Sequence, residues 1–268
     1  MTKDKRKISH ISAMHFVKLA IRLAIAVAVL AIYIVNQAWN SETILGNEIT
    51  DWVVLGVIFG MFLIEIILRF FPSKMESMGC QKQFKRNYRP TCEMTPQKQS
   101  WKRTLVVVVS WLVLNGAIGA LYFCNVIDKG ILIIISLAYS VCDMICILFF
   151  CPFQVLMMKN KCCTTCRIYN WDFPMMFTPF VFMISFSTWE LTNIFIYGLI
   201  AASLALLLEW EITYRLHPER FTENTNQSLA CANCKEKLCH HKKHLRRFIK
   251  ISLSKLAKKE VEQEAEQE

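Results

Sequence analysis

The sequence predicts an all-α, polytopic membrane helix bundle of about six transmembrane helices, with both termini in the cytoplasm. Three observations carry that expectation. The apolar residues, 54% of the chain at a mean hydropathy of +0.33, gather into blocks about as long as the roughly 20 residues needed to cross a bilayer. The loops between the blocks alternate between basic and not basic, the pattern by which positive loops stay inside. Trp39, Trp52, Trp101, Trp171, Trp189 and Trp210 sit near block ends, as an interfacial aromatic belt requires.

The N-tail, residues 1–15, carries Lys3, Lys5, Arg6 and Lys7 and is expected on the cytoplasmic side. The first span, 16–37, is too long for a signal-peptide core and no small-residue cleavage site follows it, so it reads as a retained helix. The loop after it holds Glu42, Glu48 and Asp51 without a basic residue, placing it outside. Span two covers 52–71. The inner loop 72–103 then brings Lys74, Lys82, Lys85, Arg86, Arg89, Lys98, Lys102 and Arg103 against Glu76 and Glu93. Spans three and four, 104–124 and 131–156, are joined by a short neutral turn. A second inner loop, 159–171, contributes Lys159, Lys161 and Arg167 with the cysteines Cys162, Cys163 and Cys166. The fifth span, 173–188, is short and has Pro174 and Pro179 in its first half. A kinked helix is expected there, with a re-entrant segment as the alternative. The sixth span, 191–210, ends the membrane domain of residues 16–210. Gly56-x-x-x-Gly60 and Gly116-x-x-Gly119 suit close packing of helices within the bundle.

Residues 211–268 form a cytoplasmic tail rich in Cys and His. From 245 to 259, Leu245, Phe248, Ile249, Leu253 and Leu256 recur at helical spacing among Arg246, Arg247, Lys250, Lys255, Lys258 and Lys259. That pattern is a basic amphipathic helix, expected to lie on anionic lipids of the inner leaflet. The whole chain has 31 basic against 21 acidic residues. In a membrane protein this excess points to cytoplasmic loops and lipid headgroups, and no nucleic-acid partner is expected. The plasma (inner) membrane is the expected location.

The chemistry-bearing residues concentrate in two clusters. Cys163-Thr-Thr-Cys166 lies in the second inner loop, and Cys231-Ala-Asn-Cys234 is followed by Cys239, His240, His241 and His244 in the tail. Cytoplasmic thiols stay reduced, and closely spaced ones suit metal binding or redox chemistry better than structural disulfides. In a composite arrangement, Cys163, Cys166, Cys231 and Cys234 hold one tetrahedral ion. In a local arrangement, Cys231, Cys234, Cys239 and His244 hold it by themselves, at a spacing that resembles zinc knuckles with the last two ligand types exchanged. Cys162 and His240 are further candidate ligands. Structural zinc is the first expectation, stapling the tail to the loop. An iron–sulfur cluster or reactive thiols is the second, with an electron-transfer role. Cys80 and Cys92 read as auxiliary, and Cys124, Cys142, Cys146 and Cys151 as small apolar residues.

Within the spans, Asp143 in the fourth is a functional candidate by default, because an acid at that depth is costly unless paired. Asn115 and Tyr139 are its candidate partners. Glu65 has Arg69 four residues on, and Arg22 is expected to snorkel to the interface. A transporter with Asp143 and Asn115 as a midplane site is therefore a third function class. Asn226-Gln-Ser228 matches a glycosylation sequon that the cytoplasmic side would leave unused. No P-loop, dinucleotide, nucleophile-elbow or HExxH motif is present.

The segment Cys163-Thr-Thr-Cys166-Arg-Ile-Tyr-Asn-Trp-Asp-Phe-Pro-Met-Met-Phe, and the run Trp210-Glu-Ile-Thr-Tyr-Arg-Leu-His-Pro-Glu-Arg-Phe before the tail cysteines, resemble an uncharacterised group of prokaryotic multi-pass membrane proteins. The resemblance covers roughly the C-terminal half. It implies the architecture, including a Cys-rich loop and tail, and no activity. A membrane-protein partner is a further expectation.

Overall fold

A computed structural model of the chain describes residues 10–38, 48–72, 78–92, 95–96, 100–160, 162–184, 191–230 and 233. Among them no β-strand forms, and one isolated bridge pairs Pro90 with Asn226. The fold is an all-α bundle of five long helices: α1 (His10–Ala38), α2 (Glu48–Phe70), α3 (Trp101–Phe123), α4 (Lys129–Leu148) and α5 (Leu191–Leu216). Each contains a stretch long and apolar enough to cross a membrane: Ala13–Asn36, Trp52–Phe70, Trp101–Phe123, Lys129–Leu148 and Asn193–Leu216. A helix satisfies its own backbone, which is why such sequences take this form in hydrocarbon. Val17, Val27 and Ile34 of α1, Val53 and Ile64 of α2, and Leu112 and Val113 of α3 face outward. An apolar outer surface is what a lipid-facing bundle presents.

The helices pair by identifiable contacts. Antiparallel α1 and α4 are pinned at one end by the Tyr33 hydroxyl, which donates to Asp128 at 2.9 Å. Asp128 also caps α4, accepting from the Ile131 N–H at 2.8 Å. At the other end Phe16 meets Phe149 edge-on, 6.0 Å between centroids. Helices α2 and α5 run parallel, with Phe59 and Phe195 5.1 Å apart. Gly198 makes room there: a Cβ on it would lie 2.9 Å from the Phe59 ring. Of the small-residue positions, Gly56 and Gly119 meet neighbouring aromatic rings inside the bundle, whereas Gly60 and Gly116 face open space.

Two expected spans are corrected. The fourth does not continue to 156, because α4 stops at Leu148. Pro152 disfavours helical backbone at the residue before it, and the chain reforms as a single π turn, Phe153–Met157. The fifth is not a kinked helix. It is a short α-helix, Asp172–Met176, followed by a 3-10 helix, Thr178–Met183; residues 185–190 lie outside the described set. Pro179 has no N–H to give and its ring crowds the preceding turn, so the α-helix cannot continue. Side chains compensate the freed carbonyls. Ser136 donates to the Met176 carbonyl at 2.8 Å, and Thr178 donates to that of Pro174 at 2.8 Å. Trp111 in turn donates to the Thr178 hydroxyl at 3.1 Å.

This broken segment lies in the middle of the bundle. Phe173, Phe177 and Phe180 are buried and continue as a row of rings from Phe62 of α2, with centroids 5.1 to 6.2 Å apart. Its first residue meets Arg69 at the end of α2, and Phe182 packs on Gly119 and Phe123 at the far end of α3. At ~1.5 Å per α residue and ~2.0 Å per 3-10 residue it advances about 20 Å along the bundle.

At the Arg69 end, three loop segments close into a lobe. Asn226, 0% exposed, donates to the carbonyls of Lys82 at 3.0 Å and Arg220 at 2.9 Å, and accepts from the Ser228 N–H at 3.0 Å. Gln83 donates to the Thr164 carbonyl at 2.8 Å and accepts from Asn170 at 2.9 Å. Phe84, Trp210 and Phe221 stack edge-on between them. Hence the segments 78–92, 162–171 and 217–230, all expected on one side from their charge, pack at one end. The basic helix 245–259 and the ligands Cys231, Cys234, Cys239, His240 and His244 lie outside the described residues.

Candidate functional site

Each of three helices presents one polar face, by helical spacing alone. On α1 it is His15, Lys18 and Arg22; on α2, Glu65 and Arg69; on α4, Ser136, Ser140 and Asp143. The faces meet in the third of the bundle nearest the lobe. Arg22 does not snorkel. Its side chain is 2% exposed and pairs with Glu65, with Asp143 at 3.3 Å and with the Ser140 carbonyl at 3.0 Å. The Phe62 ring lies 5.3 Å from its guanidinium carbon. The reason is distance. Arg22 stands about two turns beyond the start of the apolar stretch, and two carboxylates from neighbouring helices are nearer than water. Lys18, one turn earlier, reaches Glu65 at 3.9 Å.

Arg69 forms a second pair, giving two bonds of 2.7 and 2.5 Å to Asp172 at the head of the broken segment. The fork geometry matches a guanidinium to a carboxylate, and the Phe173 ring lies 4.6 Å from the same guanidinium. The cluster therefore holds Lys18, Arg22 and Arg69 against Glu65, Asp143 and Asp172, so its formal charges balance. His15 lies beside them, buried, with no hydrogen-bond partner on either ring nitrogen.

Asp143 and Asp172 also face a cavity. About 130 Å³ of space lies between α3, α4, the π turn and the 163–169 turn. Asp143 and Asp172 form one wall, and Cys142, Cys146, Cys151 and Cys163 are set around the rest, with Cys166 at the lobe end. Cys142 and Cys146 are one turn apart on α4. Cys151 follows the helix end, and its sulfur accepts from the Gln154 N–H at 3.4 Å. Sequence spacing does not reveal this grouping, because it depends on the chain turning back after Leu148.

The Cys163–Cys166 turn forms as its spacing predicts, the Cys166 N–H donating to the Cys163 carbonyl at 2.9 Å. Cys163 donates to the Gln154 side chain at 2.8 Å. Cys166 is buried against Val107, Met158 and Ile168, and burial pushes its thiol up to about 12. Among the described residues no three His, Cys, Asp or Glu side chains converge to hold a metal ion, so the composite zinc arrangement gains no support. Cys162 meets the Thr164 hydroxyl at 3.1 Å, Cys80 is buried and Cys92 is exposed.

The expected partners of Asp143 are replaced. Asn115 donates to the Trp111 carbonyl of its own helix at 3.0 Å, and its side-chain oxygen has no partner. Tyr139 packs on Trp111, 4.8 Å between centroids. Arg22 takes the role assigned to them. The signal for it was present in the sequence, since Lys18 and Arg22 are one turn apart on a face that also carries His15. A further ion pair, Arg167 with Glu211, is joined by Trp171, which donates to Glu211 at 2.8 Å, and by Tyr214 beneath the guanidinium at 3.8 Å. It fixes the 162–171 loop to the end of α5.

Comparison with family models, curated proteins and solved structures finds no match for this chain.

Proposed function

We propose that this integral membrane protein belongs to the transporter class and handles a small cation at the Asp143 carboxylate. The observation that carries the reading is that Asp143, 17% exposed, faces the cavity on one side and is held by buried Arg22 on the other. A cation entering the cavity competes with Arg22 for that carboxylate, and Arg22 has Glu65 as its second partner. The competition thus has two defined outcomes. Broken backbone beside buried charge supports the same class, because discontinuous segments line ion and substrate sites in transporters. The site lies in the lobe-side third of the bundle instead of at the midplane.

In this reading the chain crosses the plasma membrane six times, the segment from Asp172 onward making the fifth crossing, with both termini in the cytoplasm. Two things support it: the shared end of the basic loops, and contacts of that segment with Arg69 at the lobe end of α2 and with Gly119 and Phe123 at the far end of α3. Structural zinc in the tail, at Cys231, Cys234, Cys239 and His244, and anchoring of 245–259 on anionic lipid rest on the sequence pattern.

The test is flux into proteoliposomes holding the full chain, run against a panel of monovalent and divalent cations, for the native protein and Asp143→Asn. Uptake of at least one cation, lost in a folded Asp143→Asn variant, supports the reading. No uptake by native protein, or equal uptake by both, overturns it.

A further inference from the structure

Aromatic rings form one corner of the Asp143 cavity. Trp111 of α3, Tyr139 of α4 and Phe153 of the π turn border the space, with Met175 and Met176 beside them. Tyr139 stands one turn before Asp143, so ring and carboxylate share a face of α4. Phe153 reaches the same space because α4 stops at Leu148 and the chain restarts as the π turn. Around Trp111 the rings are inclined, Tyr139 at 4.8 Å and 53°, Phe153 at 6.0 Å and 71°. Rings set at such angles do not cover one another as stacked rings do. The Trp111 N–H donates to the Thr178 hydroxyl at 3.1 Å, which fixes the plane of the indole.

Free side-chain oxygens on the lining are few. Asp172 gives both of its oxygens to Arg69. The Gln154 side-chain oxygen accepts from Cys163 at 2.8 Å, and its amide nitrogen donates to the Asn160 carbonyl at 3.1 Å. The Tyr169 hydroxyl lies against Gly79 in the lobe. There remain the Asp143 carboxylate and the Tyr139 hydroxyl, which has no hydrogen-bond partner among the described residues. A hard inorganic cation gives up its hydration shell and needs oxygens in exchange, about six to eight for Ca2+. An alkylated ammonium ion holds water weakly and spreads its charge over methyl groups that pack against rings. The faces of Trp, Tyr and Phe attract such a cation without carrying formal charge. That matters because Lys18, Arg22 and Arg69 already balance Glu65, Asp143 and Asp172, leaving no spare carboxylate for an added positive charge.

We propose, on the basis of the cation reading above, that the cavity is a site for a small alkylated ammonium ion of the tetramethylammonium class. Its charge is held between the Asp143 carboxylate and the rings of Trp111, Tyr139 and Phe153. The volume of about 130 Å³ sets the upper size, since drug-sized ligands occupy pockets of about 300–1,000 Å³.

The test is equilibrium dialysis of radiolabelled tetramethylammonium against the full chain in detergent, where saturable binding is expected. Neopentyl alcohol, uncharged and of similar shape, should not displace the ion at equal concentration. Na+, K+ and Mg2+ should displace it only at ~100-fold or greater excess. Trp111→Leu and Tyr139→Leu should each lower the affinity by about tenfold or more in protein that stays monodisperse and helical. Tyr139→Phe, which keeps the ring face, should lose much less than Tyr139→Leu. Val113→Ala, on the outward face of α3, should leave binding unchanged. Absence of saturable binding, displacement by neopentyl alcohol or by equal Na+, or equal losses in Tyr139→Phe and Tyr139→Leu overturns the proposal. Flux separates the two readings. An inorganic cation carried by native protein and lost in Asp143→Asn, with no tetramethylammonium bound, removes this ligand and leaves transport standing. Ring-dependent binding without flux of any cation removes transport and leaves the site standing.

Discussion

Helix α4 serves two neighbouring regions of opposite character. Through Ser140 and Asp143 it enters a cluster where every formal charge has a partner on another segment. Through Cys142 and Cys146 it adds thiols to a cavity that Cys151, Cys163 and Cys166 also line, beside the Asp143 and Asp172 wall. The first region is costly to build and costly to disturb, because removing one member of a buried pair leaves the other charged in low dielectric. The second is cheap to build, since a thiol is nearly apolar, and it can change its content without unfolding its surroundings. The difference teaches where each role can reside. The ion pairs hold α1, α2, α4 and the broken segment in register, and the thiols line the cavity beside them.

Substitutions can break that contrast. The largest effect is expected from Arg22→Met, which strands Asp143 and leaves Glu65 to Lys18 alone, and should cost about 3–5 kcal/mol, read as reversible unfolding in detergent. The triple change Arg22→Met/Glu65→Gln/Asp143→Asn should recover most of it. A triple variant as unstable as the single one would mean that packing around Phe62, and not charge, holds the cluster. Next comes Asn226→Ala in the lobe, which removes donors to Lys82 and Arg220 and an acceptor for Ser228. Each buried group left unpaired is worth ~1–3 kcal/mol, and a loss of about 2–3 kcal/mol is expected.

A smaller effect separates the thiols by pH. Cys166 has its thiol raised from 9.0 to about 12 by burial. The folded state keeps its proton where the unfolded state loses it. Its contribution is therefore complete below 9.0 and is lost as pH rises toward 12. Unfolding at pH 8 and pH 10 should show native protein losing more stability than Cys166→Ala over that interval. Equal losses would place the Cys166 thiol in a wetter site. For the same reason alkylation at pH 8 should modify exposed Cys92 at least ~tenfold faster than Cys166.

The smallest effect on the bundle is expected from the tail. Cys231→Ser/Cys234→Ser should remove about one bound zinc per chain and leave the unfolding of the helices unchanged. A broad visible band from purified protein would instead assign iron–sulfur chemistry to the tail cysteines.

The long spans were legible because twenty apolar residues have few other fates, and loop charge grouped the segments that meet in the lobe. Asp143 was legible as costly. Its partner was signalled only by the face that Arg22 shares with Lys18 and His15, since snorkelling and burial of Arg22 differ only by what two other helices place beside it. The fifth span shows the same limit. Pro174 and Pro179 announced a disturbance, yet a broken segment became viable only through donors from Ser136 and Trp111, far away in sequence. Nor could spacing place Cys146 and Cys151 on one cavity, because 131–156 looked like one long helix without the stop at Leu148.

The segment Asp172–Met183 also dictates an order of events during synthesis. Alone in lipid it would expose carbonyls that no helix of its own satisfies, together with a carboxylate that needs Arg69. The donors that receive it lie on α2, α3 and α4, all made earlier by the ribosome. Assembly of this bundle is therefore ordered: α2, α3 and α4 must already stand side by side as a socket before the segment can take its place among them.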